Sequence, residues 1–267
     1  MAMRHRVSTM PETTESAVLT ERRDKILIIT INRPDKRNAV NKAVAEGIGD
    51  AAELLDSDDT LTLGILTGAG GGFCAGMDLK GFASGETPWH PTRGFGGIVQ
   101  QPPLKPLIAA VEGFAVAGGL EIAMACDMMV VAKGAKLGVP EVKRSLVAVG
   151  GALLRLPRKL PLNVATEMAL TGEPISAERG YELGLVNRLS EPGGALDEAL
   201  ELASVIAANG PLAIAATKQI LEARRDWNDK EFWDKQMEIA GPVFASEDAQ
   251  EGAVAFTEKR EPVWKSR

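Results

Sequence analysis

Cysteine and histidine are nearly missing from this chain of 267 residues, with two of each. Cys74 and Cys126 show no Cys-x-x-Cys spacing, so two reduced, buried thiols of a cytoplasmic protein are expected and a disulfide framework is not. His5 and His90 fall in an expected tail and an expected loop, which leaves no basis for a histidine metal site. Long charge-free apolar runs are missing as well. The most apolar stretch, Leu107 to Val131, is interrupted by Glu112, Glu121 and Asp127 and reads as core strand, loop, buried helix and core strand, not as a membrane span. Residues 1–23 are polar and charged, with no apolar segment of the kind a secretory signal needs. Also absent are G-x-G-x-x-G, a phosphate loop ending in Gly-Lys-Ser/Thr, and Gly-x-Ser-x-Gly, which removes dehydrogenase, kinase and serine hydrolase readings. A formal net charge of -6 argues against general nucleic-acid binding.

What is present is an ordinary globular composition, 45% hydrophobic and 25% charged, in a chain long enough to bury a substantial core. Ile26 to Ile31 reads as an apolar strand, and Val44, Ile48, Ala51 and Leu55 share one helical face. Strand and helix patterns alternate to about Leu189, which predicts an α/β fold. Beyond Gly193 the pattern turns helical, with Leu196, Leu200, Ala203 and Ile206 aligned, and Asn209-Gly210-Pro211 ends one helix and opens the next. The expected organisation is a disordered extension over residues 1–20, a core over 21–192 and a helical region over 193–267. Residues 91–101, which mix glycine, proline and an aromatic residue, read as a mobile loop, with Trp89, His90 and Phe95 as candidate pocket residues.

Two glycine-rich turns and two glutamates carry the chemistry. The strand Leu63 to Thr67 runs into Phe73-Cys74-Ala75-Gly76-Met77-Asp78-Leu79-Lys80, where a sharp turn at Gly76 can present the Met77 amide. Gly118, in Ala117-Gly118-Gly119-Leu120-Glu121, can present a second amide at a helix start. Two such amides suit an enolate oxygen, and losing one donor of this type costs about 10²–10³ in rate. Glu121 and Glu141, the latter in Gly138-Val139-Pro140-Glu141, are a candidate base and acid for adding water across a double bond. Carboxylates that share one water do not ionise independently. Taken singly, each feature is ordinary: a glutamate early in a helix complements the dipole, and Pro-Glu opens many helices. The ordered set is what is specific.

These residues identify a resemblance. From Ile26 to the C-terminus the chain resembles the enoyl-CoA hydratase (crotonase) superfamily, through Asn32-Arg33-Pro34, Asn38-Ala39-Val40-Asn41, Thr67-Gly68-Ala69-Gly70, Phe73 to Lys80, Ile108 to Val111, Gly118 to Glu121, Cys126-Asp127 and Pro140-Glu141. The resemblance implies a spiral of ββα units with a C-terminal helical trimerisation region. It implies Glu121 and Glu141 as the two catalytic glutamates and the Met77 and Gly118 amides as the oxyanion hole. It further implies a coenzyme A site bracketed by Lys36 to Ala39 and Met77 to Lys80, drawing on Arg33, Lys36, Arg37, Ala39, Ala75, Met77, Asp78, Leu79, Lys80 and Gly118. Phe256 and Lys259 are implied to reach a neighbouring subunit's coenzyme A. Coenzyme A is then part of the substrate, and no separate cofactor is expected. Homotrimers or dimers of trimers are the implied assembly.

Departures from the family pattern bear on the reading. Ala117 and Val149 stand where many hydratases have glycine, and Val149 falls where a backbone amide often holds the catalytic water. The C-terminal segments Ser246 to Gly252 and Glu261 to Lys265 are most similar to carnitinyl-CoA dehydratases. A 2-enoyl-CoA hydratase is therefore the leading expectation, with a carnitinyl-CoA dehydratase-like lyase, an enoyl-CoA isomerase and a silent acyl-CoA binder as alternatives. RNA binding through the first helix is disfavoured, because that helix carries Glu46, Asp50, Glu53 and Asp56.

Overall fold

A computed structural model describes residues 16–267. Most of the expected N-terminal extension lies outside the described residues, but its residues 18–20 already belong to a strand. That strand, β1 (Val18–Arg23), pairs antiparallel with β2 (Ile26–Ile31). A 3-10 turn at Pro34–Lys36 leads to α1 (Lys42–Ser57), capped by the Asn41 side chain, which accepts from the Val44 amide. Next come β3 (Leu63–Gly68), the short α2 (Leu79–Ala83) and a small hairpin of β4 (Trp89–His90) and β5 (Gly94–Phe95). The apolar stretch expected as strand, loop, helix and strand is β6 (Leu107–Val111), β7 (Phe114–Val116), α3 (Gly118–Ala125) and β8 (Met128–Ala132). The chain continues through β9 (Lys136–Gly138), a 3-10 turn at Pro140–Arg144, α4 (Ala152–Lys159), α5 (Leu162–Thr171), β10 (Ile175–Ser176), α6 (Ala177–Glu182) and β11 (Arg188–Ser190). Four helices finish it: α7 (Ala195–Ala207), α8 (Pro211–Ala223), α9 (Asp229–Phe244) and α10 (Glu247–Glu258).

The main sheet has the order β1-β2-β3-β6-β8-β11, parallel except at its first pair. Both of its faces are covered, and the strand sequences show why. Ile26 and Ile28 face one core while Leu27, Ile29 and Ile31 face the other, and Ile108 and Ala110 alternate with Leu107, Ala109 and Val111 in the same way. After each of β3, β6 and β8 the chain makes a short extended segment before turning into a helix. These segments line up beside the main sheet. Val40 bridges Met77, Cys74 bridges Ala115, and β7 pairs with β9. The result is a spiral of ββα units, as the resemblance implied.

α7 is where the expected organisation and the structure part. Its buried Ala195, Ala199 and Ala203 pack with Ile28, Ile65, Ile108 and Val130, so the helix closes the second face of the sheet although it lies beyond residue 193. Small residues let helix and sheet approach closely. Gly210 and Pro211 then start α8, whose axis turns 107° from that of α7. No single helix among the described residues is long and apolar enough to cross a membrane.

Lys218 on α8 fastens this elbow to the core. Its side chain, 7% exposed, donates to the carbonyls of Pro103 (2.7 Å) and Lys105 (3.1 Å) and to Asp127 Oδ2 (2.7 Å). Asp127 Oδ2 also accepts from the Leu107 amide at the start of β6 (2.8 Å). Truncating one partner of a buried pair strands the other charge. Lys218→Ala is expected to lower stability by about 3 kcal/mol in urea denaturation, and Asp127→Asn in the same background to recover part of that loss. A loss below about 0.5 kcal/mol would place the tie outside what holds α8.

Candidate active site

The first turn is built by a parallel bridge. The Val40 amide donates to Gly76 O (2.8 Å) and the Asp78 amide donates to Val40 O (2.8 Å), bracketing Met77. In a parallel pair the bracketed residue turns its own N–H away from its partner. The Met77 amide therefore points off this edge and donates to no acceptor among the described residues. Gly76 has φ 92°, and a Cβ there would sit 2.8 Å from Ala117 Cβ and 2.9 Å from the Gly118 nitrogen. Only a glycine lets the two turns meet. The Gly118 amide, the first of α3, is likewise without an acceptor among the described residues.

Ala117 holds φ 52° and ψ -132°, a conformation that costs a residue with a Cβ. It is fixed by its amide donating to Gly138 O on β9 (2.9 Å) and by its carbonyl accepting from Leu120 and Glu121. The glycine missing from this position in the sequence leaves the turn in place and under strain.

Glu121 points from the first turn of α3 into the protein and is 3% exposed. Its Oε1 accepts from the Ala152 amide at the start of α4 (3.0 Å). A Cβ at Gly150 would collide with Oε2, so the Gly150-Gly151 turn is shaped around the carboxyl. Val149 does not carry a positive φ, so its β-branch is not strained here. The positive φ of this turn falls on Gly151 (102°), and the Val149 side chain stands 76% exposed. Burial drives the Glu121 carboxyl up to about 7, with the charge of Glu141 adding to the rise and the Ala152 amide and Arg155 opposing it. Glu141, in the 3-10 turn after β9, is half-buried and raised by burial, and its Oε2 is buried without a partner among the described residues. The structure thus brings together two uncomfortable carboxyls and two unengaged amides.

Phe95 belongs to this cluster. Cβ atoms built at Gly118 and Gly150 would both meet its ring, which stacks edge-on with Trp89 at 5.3 Å between centroids. The segment expected to be a mobile loop is pinned instead. Residues 93–99 are buried, Gly96 and Gly97 lie tight against Ile122 and the α1 backbone, and Arg93 binds Asp56 at 3.1 Å and the Gln101 carbonyl at 3.1 Å. Glycine here serves close packing, a use that composition alone does not separate from mobility.

The residues expected around coenzyme A divide. Arg33 is engaged within the protein, donating to Ala39 O (2.6 Å) and pairing with Asp78 (3.0 Å). Asp78 also caps α2 through the Lys80 and Gly81 amides. Arg37 lies over the Phe114 ring at 4.6 Å, and the Ala75 amide donates to its carbonyl. Lys36 and Lys80 are exposed and have no ion-pair partner among the described residues; Leu79 is exposed beside Lys80. Asn38, 1% exposed and at φ 54°, is the organiser that the sequence showed only as a landmark. Its side chain donates to Ala69 O and Gly72 O and accepts from the Arg33 amide. Phe256 on α10 stands 85% exposed, and Lys259 ends that helix in the left-handed region. Within one chain α10 packs on α9, away from the glutamate cluster.

A fold of successive ββα turns, with two glycine turns that meet at the start of the helix carrying Glu121, is the crotonase architecture. The sequence matches the family described as enoyl-CoA hydratase/isomerase over residues 21–267. The chain belongs to that family. It is similar to a crystal structure of enoyl-CoA hydratase from Mycobacterium tuberculosis H37Rv, with 56% identity and a TM-score of 0.93, covering 95% of this chain and 100% of that one. Enoyl-CoA hydratase EchA19 of the same organism is 41% identical over 256 residues, 93% of this chain and 96% of its own. A carnitinyl-CoA dehydratase of Salmonella arizonae is 41% identical over 260 residues, 94% and 98% of the two chains.

The Glu121 geometry fixes a pH dependence. A carboxyl raised from 4.5 to about 7 in the folded state holds its proton more tightly there than in the unfolded chain, so its contribution to stability falls as pH rises through that window. Glu121→Gln keeps an acceptor for the Ala152 amide and removes the charge. The variant is expected to exceed wild type in stability by up to about 3 kcal/mol at pH 8, the gap closing by pH 4.5. A gap independent of pH would show that Glu121 is not held against its charge.

Proposed function

We propose that the chain is a hydro-lyase that adds water across the 2,3 double bond of a 2-enoyl-CoA thioester. The observation that supports this best is the pairing of two destabilised carboxyls, one buried and one half-buried, with two amides that have no acceptor among the described residues. In this reading the thioester oxygen lies between the Met77 and Gly118 amides. Glu121 takes a proton from water as its oxygen bonds to C3, the double-bond electrons move toward the thioester oxygen, and Glu141 delivers a proton to C2. The amides stabilise the oxyanion more than the neutral carbonyl, which is what lowers the barrier. A carboxyl near 7 is poised for proton exchange at neutral pH, and the Glu141 charge ties the titration of the pair together.

Coenzyme A is assigned to the rim formed by Lys36, Ala39, Ala75 and Lys80. Lys36 and Lys80 have no ion-pair partner among the described residues and are offered to phosphate, whereas Arg33 and Asp78 hold the two rim segments together. Assembly into trimers or dimers of trimers follows from the same reading. α9 buries no residue within one chain, and Trp233, Met237 and Phe244 are exposed apolar surface. Phe256 and Lys259 would then meet a neighbour's coenzyme A. Among solved relatives the identity is 56% to an enoyl-CoA hydratase and 44% to a carnitinyl-CoA dehydratase of Mycobacterium avium 104, which favours the enoyl chain.

Mixing the protein with 2-enoyl-CoAs of increasing chain length is expected to abolish the conjugated enoyl-thioester absorbance, with crotonobetainyl-CoA included in the series. Glu121→Gln and Glu141→Gln should each lower kcat by about 10²–10⁴ while the fold survives. Flat traces across the whole series from folded wild-type protein would sink the reading. Turnover confined to crotonobetainyl-CoA would transfer it to the dehydratase branch.

A further inference from the structure

A cleft of about 830 Å³ opens on the far side of α3 from its N-terminus, between the C-terminal end of that helix, α4 and the α7–α8 elbow. Neither Glu121, Glu141, Met77 nor Gly118 lines it. Its size suits a small molecule. Five cationic side chains face it, Arg155, Arg158, Lys159, Lys218 and Arg225, against the carboxylates of Asp127 and Glu222. The whole chain is acidic, so this is a local reversal of sign.

Lys218 accounts for both carboxylates. It binds Asp127 at 2.7 Å and lies 4.0 Å from Glu222. Arg155 is spent on a neutral group, the Val99 carbonyl. Arg158, Lys159 and Arg225 have neither an ion pair nor a side-chain hydrogen bond among the described residues. Burial pushes the Lys159 ammonium below its ordinary value, and Arg225 and Arg155 push it further against the pull of Asp127. Clustered cations without counter-charge oppose one another and are relieved by an anion. The remaining wall is apolar: Met124, Leu154, Ile206, Ile214 and Leu221 line the cleft, and Leu154 and Leu221 are exposed within the chain. A free inorganic anion would leave that wall wet.

We propose that this cleft is a second ligand site, separate from the glutamate cluster, for an aliphatic anion whose chain lies on Leu154, Ile214 and Leu221 and whose carboxylate or phosphate head sits among Arg158, Lys159 and Arg225. The apolar wall selects the chain and the unpaired cations select the head. The site does not depend on which reaction the glutamates perform.

Titration calorimetry on the full chain tests it with decanoate, decyl phosphate and neutral decanol. Decanoate or decyl phosphate is expected to bind saturably, one per chain, and whichever binds tighter identifies the head. Decanol should bind at least tenfold more weakly. Lys159→Gln combined with Arg225→Gln should weaken the anion at least tenfold, and saturating coenzyme A should leave it unchanged. Absence of saturable binding to wild type overturns the proposal, as does equal affinity in the double variant or displacement by coenzyme A. Sedimentation closes the remaining route. If the double variant changes the assembly state and wild type binds no decanoate, the cations meet a second copy of this chain and the cleft is an interface.

Discussion

The constraint on which this molecule turns is the burial of one carboxyl. A glutamate in the first turn of a helix ordinarily stays in solvent and complements the dipole at little cost, but α3 is buried along its whole length. Glu121 points inward, with one backbone amide and the start of α4 as its support. That support is partial. The carboxyl still rises to about 7, so burial outweighs everything arranged to oppose it. A group held this far from comfort requires a close-fitting wall, and the Gly150-Gly151 turn supplies it because no Cβ fits at Gly150.

The spiral explains how such a wall can be assembled from distant residues. Each turn of chain leaves the main sheet, makes a short extended segment and enters a helix, and the segments of successive turns pair with one another. Residues some forty positions apart are thereby neighbours. Gly76 meets Gly118 at the seam between two turns, where the lack of a side chain lets two backbones touch. Asn38 pins the preceding turn by joining three backbone groups, and the Arg33–Asp78 pair ties the first turn to the second. The strain at Ala117 is borne at the same seam, held by its bond to β9.

Much of this was legible in the sequence, and what was legible was local. Continuous apolar runs announced β2 and β6, because both faces of the sheet are covered. The apolar spacing of α1 announced its buried face, and Ala117 to Glu121 announced a turn entering a buried helix. What could not be read depended on sequence-distant partners. Arg33 looked available for phosphate because nothing nearby shows that Asp78, 45 positions on, will occupy it. Residues 91–101 looked mobile because glycine permits both freedom and close packing, and only the facing Ile122 and α1 backbone decide between them. α7 looked like part of an appendage because its small residues carry a weak apolar signal, yet smallness is what lets it lie against the sheet.

α4 joins the two regions of chemical interest. Its N-terminal amide holds Glu121, while Arg155, one turn further, opposes the rise of that carboxyl and keeps its guanidinium against Gly151 and the Val99 carbonyl. One turn further along the same helix, Arg158 and Lys159 line the cationic cleft. Arg155 lines both regions, and its own charge is disfavoured first by burial and then by Arg225 and Arg158. An anion in the cleft would relieve that repulsion and also screen Arg155 from Glu121. Screening leaves the carboxyl with less positive charge to favour its ionised form, so its proton is held more tightly. Occupancy of the cleft as proposed would therefore raise the proton affinity of Glu121, and linkage would require the converse, that a protonated Glu121 favours the bound anion.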